Sequence, residues 1–163
     1  MKYREFSDLR WKVSEIGIGC WAIGSEWGNV SEEDAKEALY TSLDNGINFF
    51  DTADVYGDGR SEKIIGEVLK NTNEQVYVAT KAGRRLNPHN AEGYNLKNIE
   101  NFIDRSLINL GVDIIDLVQL HCPPSEICGK KETYEMMDEI VKKGKIKYYG
   151  VSVEKVSEAL DAI

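Results

Sequence analysis

The stretch Gly46-Ile47-Asn48-Phe49-Phe50-Asp51-Thr52-Ala53-Asp54-Val55-Tyr56-Gly57 decides how the chain folds. Ile47 to Phe50 is a short apolar run bounded by turn residues, the pattern of a buried strand. Gly46 before it suits the left-handed residue that ends a helix, and Asp51 stands where strand gives way to loop. A helix end, a buried strand and a polar loop in that order make one repeat of a β/α protein.

The same repeat recurs outward in both directions. Strands are predicted at Ile16 to Cys20, Ile47 to Phe50, Val76 to Thr80, Ile114 to Leu120 and Ile146 to Val151. Between the first two, Ser31 and Asp34 resemble a capping box, and Ala35, Ala38, Leu39 and Leu43 form one apolar helical face. Ser61 is expected to cap a second helix, with Ile64, Ile65, Val68 and Leu69 inward. Asn95 is expected to cap a third, with Ile99, Phe102, Ile103, Leu107 and Leu110 inward before Gly111. A fourth runs from about Lys131 to Gly144, and Val156, Ala159, Leu160 and Ile163 begin a fifth. Residues 2 to 14 read as a two-stranded hairpin turning near Asp8 to Arg10.

Five such units in 163 residues suit either a flavodoxin-like open sheet or five eighths of a (β/α)₈ barrel, and periodicity leaves both open. A flavodoxin-like sheet calls for a loop of Ser, Thr and Gly after its first strand. This chain has Cys20-Trp21-Ala22-Ile23-Gly24 there.

Composition narrows the function. Hydrophobic residues are 42% and charged residues 29%, ordinary for a globular domain. Lys plus Arg minus Asp plus Glu is 20 − 28 = −8, which argues against nucleic acid or an anionic membrane surface as the main partner. The first residues, Met1 to Lys12, lack the apolar core of a signal peptide, and no run approaches the ~18 apolar residues of a membrane span, so a cytoplasmic protein is expected. Cys20, Cys122 and Cys128 are an odd number without a CxxC pair and read as reduced, packed thiols. Asp51, Asp54 and Asp58 lack the spacing of a calcium loop, so no metal is expected.

Reactive side chains stand where predicted strands end. Asp51 follows one strand and Tyr56 lies in the same loop, Lys81 follows Val76 to Thr80, and His121 follows Ile114 to Leu120. The C-terminal ends of parallel strands share one face, where α/β active sites are assembled. Singly, each has a plainer reading: Asp51 as a turn residue, Tyr56 as a surface aromatic, His121 as a hydrogen-bonded core histidine. Lys81 is less easily explained, because a buried ammonium needs a partner, and Asp51 on the neighbouring strand is the obvious one.

These residues resemble the aldo-keto reductases. The resemblance lies in Gly17-Ile18-Gly19-Cys20-Trp21, in the opening stretch followed by Ser61-Glu62, in Ala79-Thr80-Lys81, in Asp116-Leu117-Val118-Gln119-Leu120-His121, and in Gly144-Lys145-Ile146-Lys147-Tyr148-Tyr149-Gly150-Val151-Ser152. The blocks occur in family order along essentially the whole chain. The resemblance implies a partial TIM (β/α)₈ barrel of about five βα units behind an N-terminal β-hairpin, with residues 1–163 forming one C-terminally truncated domain. It implies reduction of an aldehyde or ketone with NADPH, NAD also fitting, by a tetrad of Asp51, Tyr56, Lys81 and His121. Trp21 and Asp51 would border the nicotinamide and Ser152 would hydrogen-bond its carboxamide, while Val153 stands where many members have Asn.

In such barrels the last units carry most of the grip on the cofactor's phosphates. The isolated chain, with open strand edges, is therefore expected to self-associate. The alternative to a small-carbonyl reductase is a truncated non-catalytic relative acting as a weak nucleotide-binding or interaction protein.

Overall fold

The computed structural model describes residues 1–6, 9–24 and 28–163. A hairpin of β1 (Tyr3–Phe6) and β2 (Trp11–Ser14) precedes a parallel sheet of β3 (Ile18–Gly19), β4 (Phe49–Asp51), β5 (Tyr77–Ala82), β6 (Ile115–His121) and β7 (Ile146–Ser152). The strands lie in chain order, β3-β4-β5-β6-β7. Helices α1 (Glu32–Asp44), α2 (Arg60–Lys70), α3 (Leu96–Leu110), α4 (Ser125–Cys128), α5 (Lys131–Lys142) and α6 (Val156–Asp161) fill the connections. This is the expected partial barrel: among the described residues the sheet is not closed. The chain divides into two compact units, Met1–Ala79 with Asn109–Gly111, and Thr80–Ile108 with Val112–Ile163.

In the first unit, β4 is the organising strand. Its residues pair with β3 (Ile18 with Phe50, Gly19 with Asp51) and with β5 (Phe49 with Tyr77, Phe50 with Val78, Asp51 with Ala79). Phe50, Leu39, Ile64, Ile65 and Val68 are fully or almost fully buried, each worth about 1.5–3 kcal/mol of burial. Ser31 caps α1 as expected, its oxygen accepting from the Asp34 amide, and Gly46 takes the left-handed conformation (φ +79°) that ends the helix. Asn48 clamps the hairpin: its side chain accepts from the Ser14 amide at 2.8 Å and donates to the Lys12 carbonyl at 2.9 Å. Buried Trp11 stacks on Tyr77 with ring centroids 4.7 Å apart. The expected hairpin turn falls in part on Asp8, outside the described residues.

Two local expectations are corrected here, and one element is new. Ser61 does not cap α2; left-handed Gly59 occupies that place, and Ser61 is buried as the second residue of the helix, where its hydroxyl serves other partners than the helix start. Ile16 is 60% exposed and precedes β3, because Ser14 spends its hydroxyl on the Ile16 carbonyl and bends the chain before the strand begins. The helix α4 was unforeseen, four residues being too few to show a period.

In the second unit, β6 and β7 run in register from Ile115 opposite Ile146 to His121 opposite Ser152. Ile115, Val118, Leu120 and Ile146 are buried on the strands, and Ile99, Ile103, Met137 and Ile140 on the helices. Asn95 caps α3, accepting from the Asn98 amide at 3.1 Å. Tyr149 donates to Asp138 of α5 at 2.8 Å. Lysines cluster where the chain enters β7: Lys143 bridges Glu100, Lys145 bridges Glu100 and Asp104, and Lys147 bridges Asp116. Ile114 is 44% exposed, so β6 begins one residue later than predicted.

Candidate active site

In the first unit, Asp51 is the last residue of β4, half-buried, and its backbone is fixed on both sides. Its carbonyl accepts from the Cys20 amide at 2.8 Å, and the next amide, of Thr52, donates to the Ala79 carbonyl at 2.8 Å. Thr52, Ala53 and Asp54 are completely buried, so the loop dives into the protein before it turns. Thr52 donates its hydroxyl to Ser61 at 2.9 Å, and Ser61 donates to the Cys20 carbonyl at 2.9 Å. This relay ties the loop after β3, the loop after β4 and the first turn of α2 into one frame.

Tyr56 opens a short 3₁₀ turn (Tyr56–Gly59) at the top of that frame. The turn needs left-handed backbone at Gly57 (φ +58°), and it lies hard against a second 3₁₀ turn, Ala22–Gly24. A methyl group on Gly24 would stand 2.7 Å from the Gly57 nitrogen. Arg60 anchors the same loop from below, donating to the carbonyls of Ile23 and Val30. The outcome is that the rings of Trp21 and Tyr56 are neighbours, 6.5 Å apart and tilted by 38°. Trp21 is 42% exposed and so is not a packed core aromatic.

In the second unit, Lys81 lies within β5 and is only 6% exposed. His121 ends β6, with Ser152 directly opposite at the end of β7. The Cys122 amide donates to the Ser152 carbonyl at 2.8 Å, and Cys122 itself takes a left-handed turn (φ +46°). Burial drives the His121 imidazole down to about 4, aided by the positive charges of Lys81, Arg84 and His89. His121 is therefore neutral at pH 7, one ring nitrogen carrying hydrogen and the other able to accept.

The structure thus places Asp51, Tyr56 and Trp21 beyond the C-terminal ends of β3 and β4 in one unit. It places Lys81, His121 and Ser152 at the C-terminal ends of β5, β6 and β7 in the other. Sequence reasoning missed the supporting roles of Gly24, Thr52 and Arg60, and gave Ser61 a different one. Only the pairing of Gly24 with the quoted Gly57 left any trace, as two glycines in loops after adjacent strands. A cavity of about 360 Å³ lies elsewhere, between the hairpin and Gly17 and Phe49, at the start of the strands. It contains none of the expected groups. Among the described residues no helix is long and apolar enough to cross a membrane, and no group of three or more His, Cys, Asp or Glu could hold a metal ion.

Known proteins match both the sequence and the fold. The aldo/keto reductase family model matches residues 15–162. The aldo-keto reductase YhdN of Bacillus subtilis is 38% identical over 158 residues, covering 93% of this chain and 47% of that protein. Among solved structures, the holo form of the aldo-keto reductase AKR11C1 from Bacillus halodurans superposes with a TM-score of 0.80 at 32% identity, over 94% of this chain and 50% of that one. An aldo-keto reductase from Klebsiella pneumoniae in complex with NADPH gives 0.79 at 25% identity, over 98% and 52%. The chain spans about half the length of the relatives it matches. With its five parallel strands, and nearly all of the chain after the hairpin matched by one family model, the chain belongs to the aldo/keto reductase family.

Proposed function

We propose that the protein is a nicotinamide-dependent reductase of small aldehydes or ketones, in which Asp51, Tyr56, Lys81 and His121 act as one site. The observation that carries the reading is the seating of Tyr56, half-buried beside Trp21 on a loop held by buried hydrogen bonds and a glycine contact. Membership of the family, and the NADPH complex of a relative, support a nicotinamide cofactor, NADPH in preference to NAD.

The residues suit the nicotinamide end of such a cofactor. The exposed ring of Trp21 offers an apolar wall, and the half-buried Ser152 hydroxyl offers both donor and acceptor for a carboxamide. We assign Asp51 to the same end of the cofactor. A bound reduced nicotinamide would supply hydride to the carbonyl carbon.

The chain's own residues deal with the oxygen. As negative charge gathers there, Tyr56 donates its phenolic proton. We set Lys81 between the Asp51 carboxylate and the Tyr56 hydroxyl, where its ammonium would favour the phenolate left behind. On a regular strand Lys81 shares a face with Ala79, the residue paired with Asp51, which supports this placement. Neutral His121 donates its ring hydrogen to the carbonyl oxygen and orients it. The three free thiols, Cys20, Cys122 and Cys128, fit the reducing cytoplasm, where we place the protein.

The test is NADPH oxidation by the chain with a panel of small aldehydes and ketones, comparing the parent with Tyr56→Phe. Turnover should fall by about 10²–10⁴, the contribution of a positioned general acid, while NADPH affinity stays the same. Rates within about threefold of the parent would reject Tyr56 as the acid. NADPH binding without turnover by the parent would favour the non-catalytic alternative.

A further inference from the structure

The loop between β5 and α3 holds a hydrogen-bonded pair that the proposed reaction does not use. Tyr94 is 8% exposed, and its hydroxyl donates to the backbone carbonyl of His121 at 3.1 Å. That hydroxyl has a single hydrogen, spent on the carbonyl, so its contact with His89 Nε2 at 2.8 Å must be one in which the histidine donates. The two rings meet edge to face, with centroids 5.6 Å apart. The order of donation is then His89 to Tyr94 to the carbonyl of His121.

The Tyr94 ring is fixed from behind as well. Gly83, just after β5, has φ +110°, and a methyl group there would stand 2.6 Å from the Tyr94 ring. The ring thus fills the space a side chain at 83 would take. On the other side of the His121–Cys122 peptide, the Cys122 amide is already committed to the Ser152 carbonyl. The peptide that carries the His121 ring is therefore held at both ends, by Tyr94 at its oxygen and by β7 at its nitrogen.

We infer that Tyr94, braced by His89 and Gly83, is a positioning residue for His121: it fixes the His121 peptide plane and through it the direction of the imidazole. The inference rests on the reductase reading for its catalytic meaning, because only there does the aim of the imidazole matter. A hydrogen bond to a substrate oxygen tolerates little misplacement, a shift of about 1 Å costing up to about 10²-fold in rate. Tyr94 touches no reacting atom.

The sequence offers a clean readout, because His121-Cys122 is its single His-Cys pair. The 163-residue chain labelled with [1-¹³C]histidine and [¹⁵N]cysteine gives one amide-to-carbonyl correlation, that of this peptide. In Tyr94→Phe, which keeps the ring against Gly83, the His121 carbonyl carbon should move upfield as its hydrogen bond is lost. The His121 ring signals should shift with it. Turnover should fall about tenfold with the KM for NADPH unchanged. His89→Ala, which leaves Tyr94 in place, should move the carbonyl signal the same way by less, and it decides the matter should Tyr94→Phe not fold.

An unmoved carbonyl signal in the folded variant overturns the inference. So does a moved carbonyl with unmoved ring signals, which would reduce Tyr94 to a loop tether. A parent chain without turnover defeats the reductase reading separately, and the carbonyl and ring signals still decide what Tyr94 does to His121.

Discussion

Gly24 and Gly57 touch backbone to backbone, so closely that a methyl group on Gly24 would stand 2.7 Å from the nitrogen of Gly57 and 2.8 Å from the carbonyl carbon of Tyr56. The position of the Tyr56 ring is thus set by an absence of side chains on the loops after two adjacent strands. Gly24→Ala should push the Tyr56 turn outward at a cost of about 1–3 kcal/mol, the range for overpacking a tight site. Urea unfolding measures the stability, and NADPH turnover should fall more steeply than stability predicts. Equal activity in Gly24→Ala and the parent would show that the contact does not position Tyr56.

The relay from Thr52 through Ser61 to the Cys20 carbonyl is buried throughout. Ser61→Ala should cost about 1–3 kcal/mol, because it removes a donor and an acceptor where water cannot replace them. The value is read from the urea midpoint at constant m. A loss below about 0.5 kcal/mol would mean that Thr52 and Cys20 find other partners.

Acid should destabilise the protein through His121. Its imidazole is held near 4 in the fold against an ordinary value of 6.5, so between those values the unfolded chain binds a proton that the folded chain refuses. The stability from this group is intact above about pH 6.5 and drains away as pH falls to about 4, by at most about 3 kcal/mol. Urea unfolding at pH 7 and pH 5 should show a smaller difference in His121→Asn than in the parent. Identical pH dependence would place the buried proton acceptor elsewhere.

The exposed side chains of α6 and the outer edge of β7 should make the chain self-associate. Val156, Leu160 and Ile163 are 77%, 67% and 102% exposed, and among the described residues β7 pairs with β6 alone. Static light scattering should give a mass above that of one chain, falling when Leu160 is changed to Glu. A monodisperse monomer at high concentration would contradict this.

Much of this was legible in the sequence where the controlling interaction is local. The Ser31 cap, the Asn95 cap and the left-handed Gly46 involve partners within four residues, and each was read correctly. The strands were found within one or two residues because an apolar run is its own signal. Ser61 was misread because its identity suits a cap, while its actual partners, Thr52 and Cys20, lie 9 and 41 residues away. Tyr94 escaped for the same reason, its hydroxyl reaching a carbonyl 27 residues on. Asp51, Lys81 and His121 are recognisable as candidates because they stand at or near strand ends, and Tyr56 because it lies in the loop that follows one. The groups that hold them were not, because a support is defined by distance in space.

The lysines leading into β7 have a role in assembly as well as in the folded state. Lys147 meets Asp116 at 2.7 Å while Lys145 reaches back to Glu100 and Asp104 on α3. Were β7 to slide by one residue along β6, every side chain would change faces: Lys147 would turn away from Asp116, and Tyr148 would take its place beside the carboxylate. Exposed ion pairs of this kind add little to the stability of the finished fold. Their greater effect is as a proofreading mark, by which the correct alignment of two long strands is told from its nearest error before the core has closed around it.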